Sequence, residues 1–322
     1  MPFTVSLVIP SYNRAKLIGE TIDSALAQVE KFHEIIVVDD GSTDDTMHVL
    51  ARYGDKIKVV SCHRCGPQTA RNAGVKAATG DYIALCDSDD LLAPEFLHAA
   101  GKWFRRHPEF DAFYSNFVTF NDVGVHPDKF LSAPADFFDG AASEDDYLYD
   151  IPDLYLRTVR FQPLFISGCI VSRELYRRLD GFDTKFHNVG GEDWEFTLRL
   201  LREAKVALCK RPLVLIRKHD SNQSHDSIRQ VRGTAHILEH ALKNHHIPVH
   251  YHDPIRASIE SRRVGVFHVA FSRGNFAVAE EMLGLLKKHP TDLCFRLKLF
   301  IMRLPGPLRT SFWKLSQARP AT

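Results

Sequence analysis

The chain has no uninterrupted apolar run of the roughly 20 residues that a membrane-crossing helix requires. Two uncharged runs stand out, Met1–Asn13 and Phe161–Ser172, and both are too short. No basic segment precedes an apolar one at the N-terminus, so a signal peptide is not expected. Cysteine is sparse: six in 322 residues do not frame a disulfide scaffold. Cys62-His63-Arg64-Cys65 has the CxxC spacing, but no second pair or nearby histidine pair completes a zinc site. A reducing cytoplasm is the simplest setting. A dominant charge is also missing. The formal net charge is +1 and no basic-aromatic platform occurs, which argues against nucleic acid as a partner. Two familiar nucleotide signatures are absent as well. There is no G-x-x-x-x-G-K-[ST] loop and no G-x-G-x-x-G after the first strand. Bound phosphates would therefore have to be held by metal and basic side chains, with Arg71 and Asn72 as candidates.

What is present is ordinary in bulk. With 44% hydrophobic and 25% charged residues, the composition is that of a globular protein of one large or two ordinary domains. The N-terminal half alternates strands and helices at short spacing. Val5, Leu7 and Ile9 lie in an apolar run that suits a strand covered on both faces. Helix follows from about Ala15 to Ala27, then a buried strand over Glu34–Val38. Ser42-Thr43-Asp44-Asp45 has the spacing of a helix start. A third strand over Lys56–Ser61 and a helix over Gln68–Ala78 lead to the apolar run Tyr82–Cys86. This order predicts a largely parallel α/β sheet, in which ligands bind beyond the carboxyl ends of the strands.

Tyr12, Asp39 and the turn Asp87-Ser88-Asp89-Asp90 each follow a predicted strand end. Carboxylates crowded behind a buried strand repel, by roughly 4 kcal/mol for two charges about 4 Å apart at an effective dielectric near 20. A hard cation would remove that cost. The plainer reading is a solvated turn in which Ser88 or Asp89 caps the next helix. Residues 121–160 lose the regular pattern and are acidic and aromatic, which suggests a lid or an acceptor-shaping loop, or a solvated flap. A strand is expected around Gly168–Val171, then Gly190-Gly191-Glu192-Asp193-Trp194 opening a helix to about Glu203. The two glycines would let the backbone approach a ligand closely. Two strands should follow, Lys205–Leu208 and Leu213–His219.

Five segments together resemble family 2 glycosyltransferases of the GT-A fold. They are Ser6–Arg14, Ile36–Asp44, Ala70–Gly74, Leu85–Asp90 and Gly190–Glu195, in family order and spacing across about residues 3–220. The resemblance implies a GT-A, Rossmann-like, mostly parallel sheet over residues 1–224; the remainder, 225–322, lies beyond the family pattern and reads as a helical extension. It implies an inverting transfer of one sugar from a nucleotide-diphosphate sugar, with uracil the commonest base, to a glycan or lipid-linked acceptor. On that basis Pro10 and Tyr12 would border the nucleotide, Asp39 would accept from its base, Arg71 would face the diphosphate, and Asp87 would lie near the ribose or metal. Asp89 would bind Mg²⁺ or Mn²⁺. Asp193 would be the general base, with Glu192 and Trp194 toward the acceptor. His219, in the stretch Ile216–Ser224, resembles a late R-x-H-x-x-S element and would be a further metal or phosphate contact; it could also be an ordinary strand-end histidine. The Q-x-x-R-W element and membrane helices of processive synthases are absent from this sequence. Two other readings are a catalytically inactive scaffold subunit and a sugar-phosphate nucleotidylyltransferase. The second lacks its glycine-rich loop here.

Beyond about Ser224, helices are expected over Ile228–Asn244, Pro254–Phe271 and Phe276–Lys288. After Asp292 there is no acidic residue, while six Lys and Arg mix with large apolar side chains. That pattern fits an amphipathic segment lying on an anionic membrane. It also fits a terminal helix packed on the body with its basic residues outward.

Overall fold

In the computed structural model the described residues are 3–219 and 227–317. The expected boundary at 224/225, and residues 220–224 of the late motif, lie outside them. The chain divides into two compact units, Met1–Asn188 with Glu192–Asn222, and Val189–Gly191 with Gln223–Thr322.

The first unit begins with β1 (Val5–Ser11), α1 (Ile18–Leu26), β2 (Glu34–Asp39), α2 (Thr46–Ala51), β3 (Lys58–Ser61) and α3 (Pro67–Ala77). It continues through β4 (Tyr82–Leu85), β5 (Leu91–Leu92), α4 (Phe96–Arg106), β6 (Ala112–Asn121), β7 (Gly124–Val125), β8 (Ala142–Glu144) and β9 (Tyr147–Tyr149). It closes with α5 (Leu154–Arg160), β10 (Cys169–Ser172), α6 (Arg173–Arg178), α7 (Glu192–Glu203) and β11 (Val206–Arg217). The strands form one sheet in the order β3-β2-β1-β4-β10-β6-β11-β9-β8, with β5 added on β11 and β7 on β6.

Strand β1 is buried along its whole length. Its alternate residues divide between two apolar layers: Val5, Leu7 and Ile9 pack with α1 and α4, and Val8 with α3, α6 and α7. The result is helices on both faces of a mostly parallel sheet, the GT-A type of α/β fold. Pro10 fits a central strand because of where it stands. The Val8 carbonyl accepts from Cys86 on the β4 side and the Ser11 carbonyl from Asp40 on the β2 side. The Pro10 nitrogen therefore faces β4, whose pairing has already ended at Leu85, and no ladder bond is lost.

Strand β10 is antiparallel to both β4 and β6. Those two consequently point the same way, and β11 is parallel to β6. The carboxyl ends of β1, β2, β4, β6 and β11 therefore share one edge of the sheet.

Three expectations are corrected in this unit. Residues 121–160 are not irregular throughout: they contain the β8–β9 hairpin, which extends the sheet from β11, and α5. Phe137 and Tyr147 within them are buried. The two strands expected over Lys205–His219 are one, β11. Its exposed middle, Lys210-Arg211-Pro212, is a register shift against β6 rather than a turn. Neither Ser88 nor Asp89 caps α4, whose N-cap residue is Glu95 with no side-chain capping bond.

The second unit comprises α8 (Ser227–Asn244), α9 (Val249–Ser272), α10 (Phe276–Leu285), α11 (Leu293–Met302) and α12 (Gly306–Gln317). Helix α9 starts five residues before the expected Pro254, which sits in its second turn. Phe267 and Phe271 of α9 pack with Met282 of α10 and with Phe295, Ile301 and Met302 of α11. Trp313 of α12 donates to the Phe271 carbonyl at 2.6 Å. One side of each C-terminal helix is thus taken up by packing. Arg263, nearly buried in α9, is held by Glu239, Glu260 and the Leu285 carbonyl. No described helix is long and apolar enough to cross a membrane.

Candidate active site

The shared edge of the sheet gathers residues that are far apart in sequence. Tyr12 follows β1, Asp39 ends β2, Asp87 follows β4, and His219 stands two residues past β11. Asp193 is the second residue of α7.

Arg71 joins two of the acids. Its Nη2 donates to Asp87 Oδ1 at 2.5 Å and its Nη1 to Asp193 Oδ1 at 2.7 Å. The arginine is buried, and its Cζ lies 5.1 Å from the centre of the Phe182 ring. Burial opposes its charge, but Asp193 and Asp87 outweigh that and hold its pKa above the ordinary arginine value. Asp193 is pulled in opposite directions. Burial raises its pKa, Arg71 lowers it, and Asp87 and Glu192 raise it again, leaving it at about 6. Its side chain nevertheless keeps 30% of its surface exposed. Asp193 thus combines a near-neutral pKa with access from outside. Arg71 was expected to face a diphosphate; here its two Nη groups are committed to carboxylates. Asn72, the other phosphate candidate, accepts from the Tyr176 hydroxyl and the Phe182 amide and donates to the Phe182 carbonyl. It fixes the turn that carries Phe182 under Arg71.

A second cluster lies around Asp89. His219 Nε2 is 3.0 Å from Asp89 Oδ2, and Arg14 Nη2 is 3.4 Å from the same oxygen. A carboxylate oxygen and an imidazole nitrogen therefore converge, as the sequence pattern suggested they could. Asp90 points elsewhere. Its Oδ2 accepts from the Ser167 hydroxyl at 2.6 Å and its Oδ1 from the Arg217 amide at 3.1 Å. Burial first, then Asp87 and Asp89, raise its pKa well above the ordinary carboxylate range. Ser167 also accepts the Asp87 amide at 3.0 Å, and Arg217 Nε donates to the Asp89 carbonyl at 3.1 Å. Ser167 and Arg217 fix the acidic turn at both ends, so Asp90 ties the turn to the sheet and does not cap α4.

On the β2 side, Asp39 accepts from the Ser42 amide at 3.1 Å and the Ser42 hydroxyl at 2.5 Å. Asp40 accepts from the Cys65 and Gly66 amides at 2.6 and 2.9 Å. It secures the loop from which α3 departs, and so the placement of Arg71. Gly66 has φ of 83°, and a Cβ there would lie 2.3 Å from the His187 ring. Pro10 is buried beside this edge, whereas Tyr12 is 40% exposed with the Arg64 guanidinium over its ring at 5.8 Å. Ser11 pairs in register with Asp39, and its hydroxyl is buried without a partner among the described residues.

Two expectations around α7 are corrected. Trp194 is fully buried, so its ring is not displayed to an acceptor, while Glu192 is partly exposed. The glycines at 190 and 191 have φ of 94° and 81°, but the close approach at Gly190 is to backbone. A Cβ there would lie 2.8 Å from the Arg229 carbonyl oxygen. Sequence reasoning passed over Arg14, Ser167 and Arg217 as contributors. Arg14 and Arg217 lie inside the quoted motifs, whereas nothing in the run 161–172 marks Ser167.

Known proteins resemble the chain at the level of family and fold. Residues 6–153 match the model of glycosyl transferase family 2, and residues 162–219 match that of the N-terminal domain of galactosyltransferase. An uncharacterized glycosyltransferase of Rickettsia typhi is 28% identical over 229 residues, 70% of this chain and 68% of that one. Four further Rickettsia relatives are matched over only 20–30% of their own length. Among solved structures, S. aureus TarS 1-349 in complex with UDP-GlcNAc superposes with a TM-score of 0.62 at 20% identity, covering 98% of this chain and 88% of that one. The mannosyltransferase PcManGT of Pyrobaculum calidifontis, in complex with GDP-Man and Mn²⁺, gives 0.57 at 19% identity, covering 97% and 86%. At these identities the structural likeness concerns the fold.

Proposed function

We propose, for a chain whose residues 6–153 are a glycosyl transferase family 2 domain, an inverting, metal-dependent transfer of one sugar from a UDP-sugar to a glycan or lipid-linked acceptor. The observation that carries this reading is the Arg71 bridge, which sets Asp193 beside Asp87 on the rim that also holds the Asp89–His219 pair. A base candidate and a metal-ligand pair, on one sheet edge, are what such a reaction needs. Six free thiols accord with action in a reducing compartment, the cytoplasm.

In this reading Asp39 takes a hydrogen bond from the uracil and Tyr12 borders the nucleotide. The partnerless Ser11 hydroxyl gains a partner there when the donor binds. Asp193 receives the proton of the acceptor hydroxyl as that oxygen attacks the anomeric carbon opposite the leaving diphosphate. A pKa of about 6 leaves Asp193 ionised at neutral pH yet still basic enough to accept a proton. Arg71 holds the carboxylate in place and favours its charged form, and Glu192 faces the acceptor side. Asp89 and His219 fit a divalent ion, because their oxygen and nitrogen donors meet within 3.0 Å; the carboxylate suits Mg²⁺ or Mn²⁺. When bound, the ion would supply Lewis-acid stabilisation of the charge developing on the diphosphate.

The test joins a thermal-shift screen of nucleotide sugars, with and without Mn²⁺, to kinetics of Asp193→Asn. The screen should give its largest shift with a UDP-sugar and the metal together. The variant should keep its melting temperature and lose about 10²–10⁴-fold in kcat. Normal turnover by the variant with the true substrates would sink the assignment of the base.

A further inference from the structure

We propose that α11 and α12 form a docking surface for an anionic lipid bilayer, lying in its interface without crossing it. The observation is a pair of matching stripes. Leu293, Leu297 and Phe300 on α11, and Leu308, Phe312 and Leu315 on α12, each fall at i, i+4, i+7 and are 44–82% exposed. That spacing puts each trio on one face of its helix. The packed side of α11 is elsewhere: Phe295 and Met302 are buried in the helical core of the second unit, about half a turn round from the stripe. On α12, Trp313 and Arg309 do the packing, against Phe271 and Phe276. The exposed stripes are therefore surplus to the fold.

The sign of the charge selects the occupant. Between Leu293 and Gln317 there are five Lys and Arg and no Asp or Glu. Lys298 is turned toward His268 and Arg309 toward Phe276. Arg296, Arg303 and Lys314 form no ion pair among the described residues, and no acid lies on these two helices to pair with them. Large apolar side chains flanked by uncompensated cations match an anionic headgroup layer over acyl chains. They do not match a neutral apolar partner, which would leave the cations buried and unpaired. This inference concerns the C-terminal helices alone and does not depend on the donor, the acceptor or the catalytic residues.

The experiment is co-sedimentation of the full chain with vesicles of phosphatidylcholine alone, or of phosphatidylcholine with phosphatidylglycerol, without substrates. The wild type should sediment with the anionic vesicles only, and less so as salt rises. Replacing Arg296→Gln, Arg303→Gln and Lys314→Gln together should lower binding roughly 100-fold, about fivefold per charge. Leu297→Ser with Phe300→Ser and Phe312→Ser should abolish it, with circular dichroism and melting unchanged because these positions face outward. Failure of the wild type to bind anionic vesicles would overturn the proposal. So would equal binding to neutral vesicles. Concentration-dependent self-association abolished by the serine variant, without vesicle binding, would assign the stripes to a second copy of the chain instead.

Discussion

Replacing Arg71 with methionine tests whether this arginine governs the protonation of Asp193. Methionine keeps much of the side chain's bulk and removes only the charge and the forked donors. In the native arrangement both Nη atoms are bound to carboxylates, at 2.5 and 2.7 Å. The repulsion from Asp87 already contributes to the Asp193 value of about 6, so what the substitution removes is the attraction of the guanidinium. Opposite charges about 4 Å apart at an effective dielectric near 20 attract by about 4 kcal/mol, equivalent to roughly 3 pK units at most on the base. The sign is fixed by the charges. Arg71 favours the ionised base, and its loss favours the protonated, inactive form. The acid limb of the pH profile should therefore move up by roughly 2–3 pK units, with activity at pH 6.5 falling by at least about tenfold and recovering as pH is raised. The assay is kcat against pH for both proteins, with Arg71→Lys as an intermediate. Breaking a buried ion pair from one side costs 3–5 kcal/mol. The lower end applies here, since Asp87 and Asp193 keep 25% and 30% of their side-chain surface exposed, so each profile is measured below the variant's own melting temperature. An acid limb at the same pH as in the wild type, with a uniform loss at every pH, would refute the argument.

Other consequences are equally specific. Asp90 is buried with its pKa raised, so between its unfolded and folded values the native state binds the extra proton and stability falls as pH rises. Asp90→Asn should remove that slope and equal or exceed the wild type in urea at pH 7, whereas Asp90→Ala should lose about 1–3 kcal/mol by stranding the Arg217 amide. Gly66→Ala should cost about 1–3 kcal/mol in chemical denaturation, because φ of 83° with ψ of 160° is a conformation essentially restricted to glycine and the His187 ring fills the space. His219→Ala should weaken Mn²⁺ binding at least tenfold by calorimetry while leaving metal-free UDP binding within twofold, since Asp89 would lose the nitrogen donor at its side.

Much of the site could be read before the fold was known because buried parallel strands announce themselves. An apolar run ending in Asp39, or in Asp87, within alternating strands and helices reads as a strand that delivers an acid to the sheet edge. Asp89 and His219 are 130 residues apart, and what unites them is the register of β11 beside the acidic turn. The role of Arg71 had no local signature, since nothing in helix α3 states which acids its fork will meet. Trp194 could have been read better: with Leu198 it falls at i, i+4, and both are fully buried, on a helix that also buries Phe196 and Leu200. The region 121–160 concealed its strands because each of β8 and β9 has three residues, too few for alternation to register. At β11, Lys210-Arg211-Pro212 has turn composition, yet pairing with β6 resumes beyond it.

The outermost strands of the sheet bear on how the protein behaves when concentrated. An eleven-stranded sheet ends at β3 on one side and β8 on the other. These are four and three residues long, and β3 begins with an exposed lysine, Lys58. Open backbone groups on a long, flat border recruit strands from other molecules, and short or charged borders do not. A dense solution of this protein should therefore resist fibril growth through its sheet, and clouding on storage would trace to the apolar stripes of the last two helices.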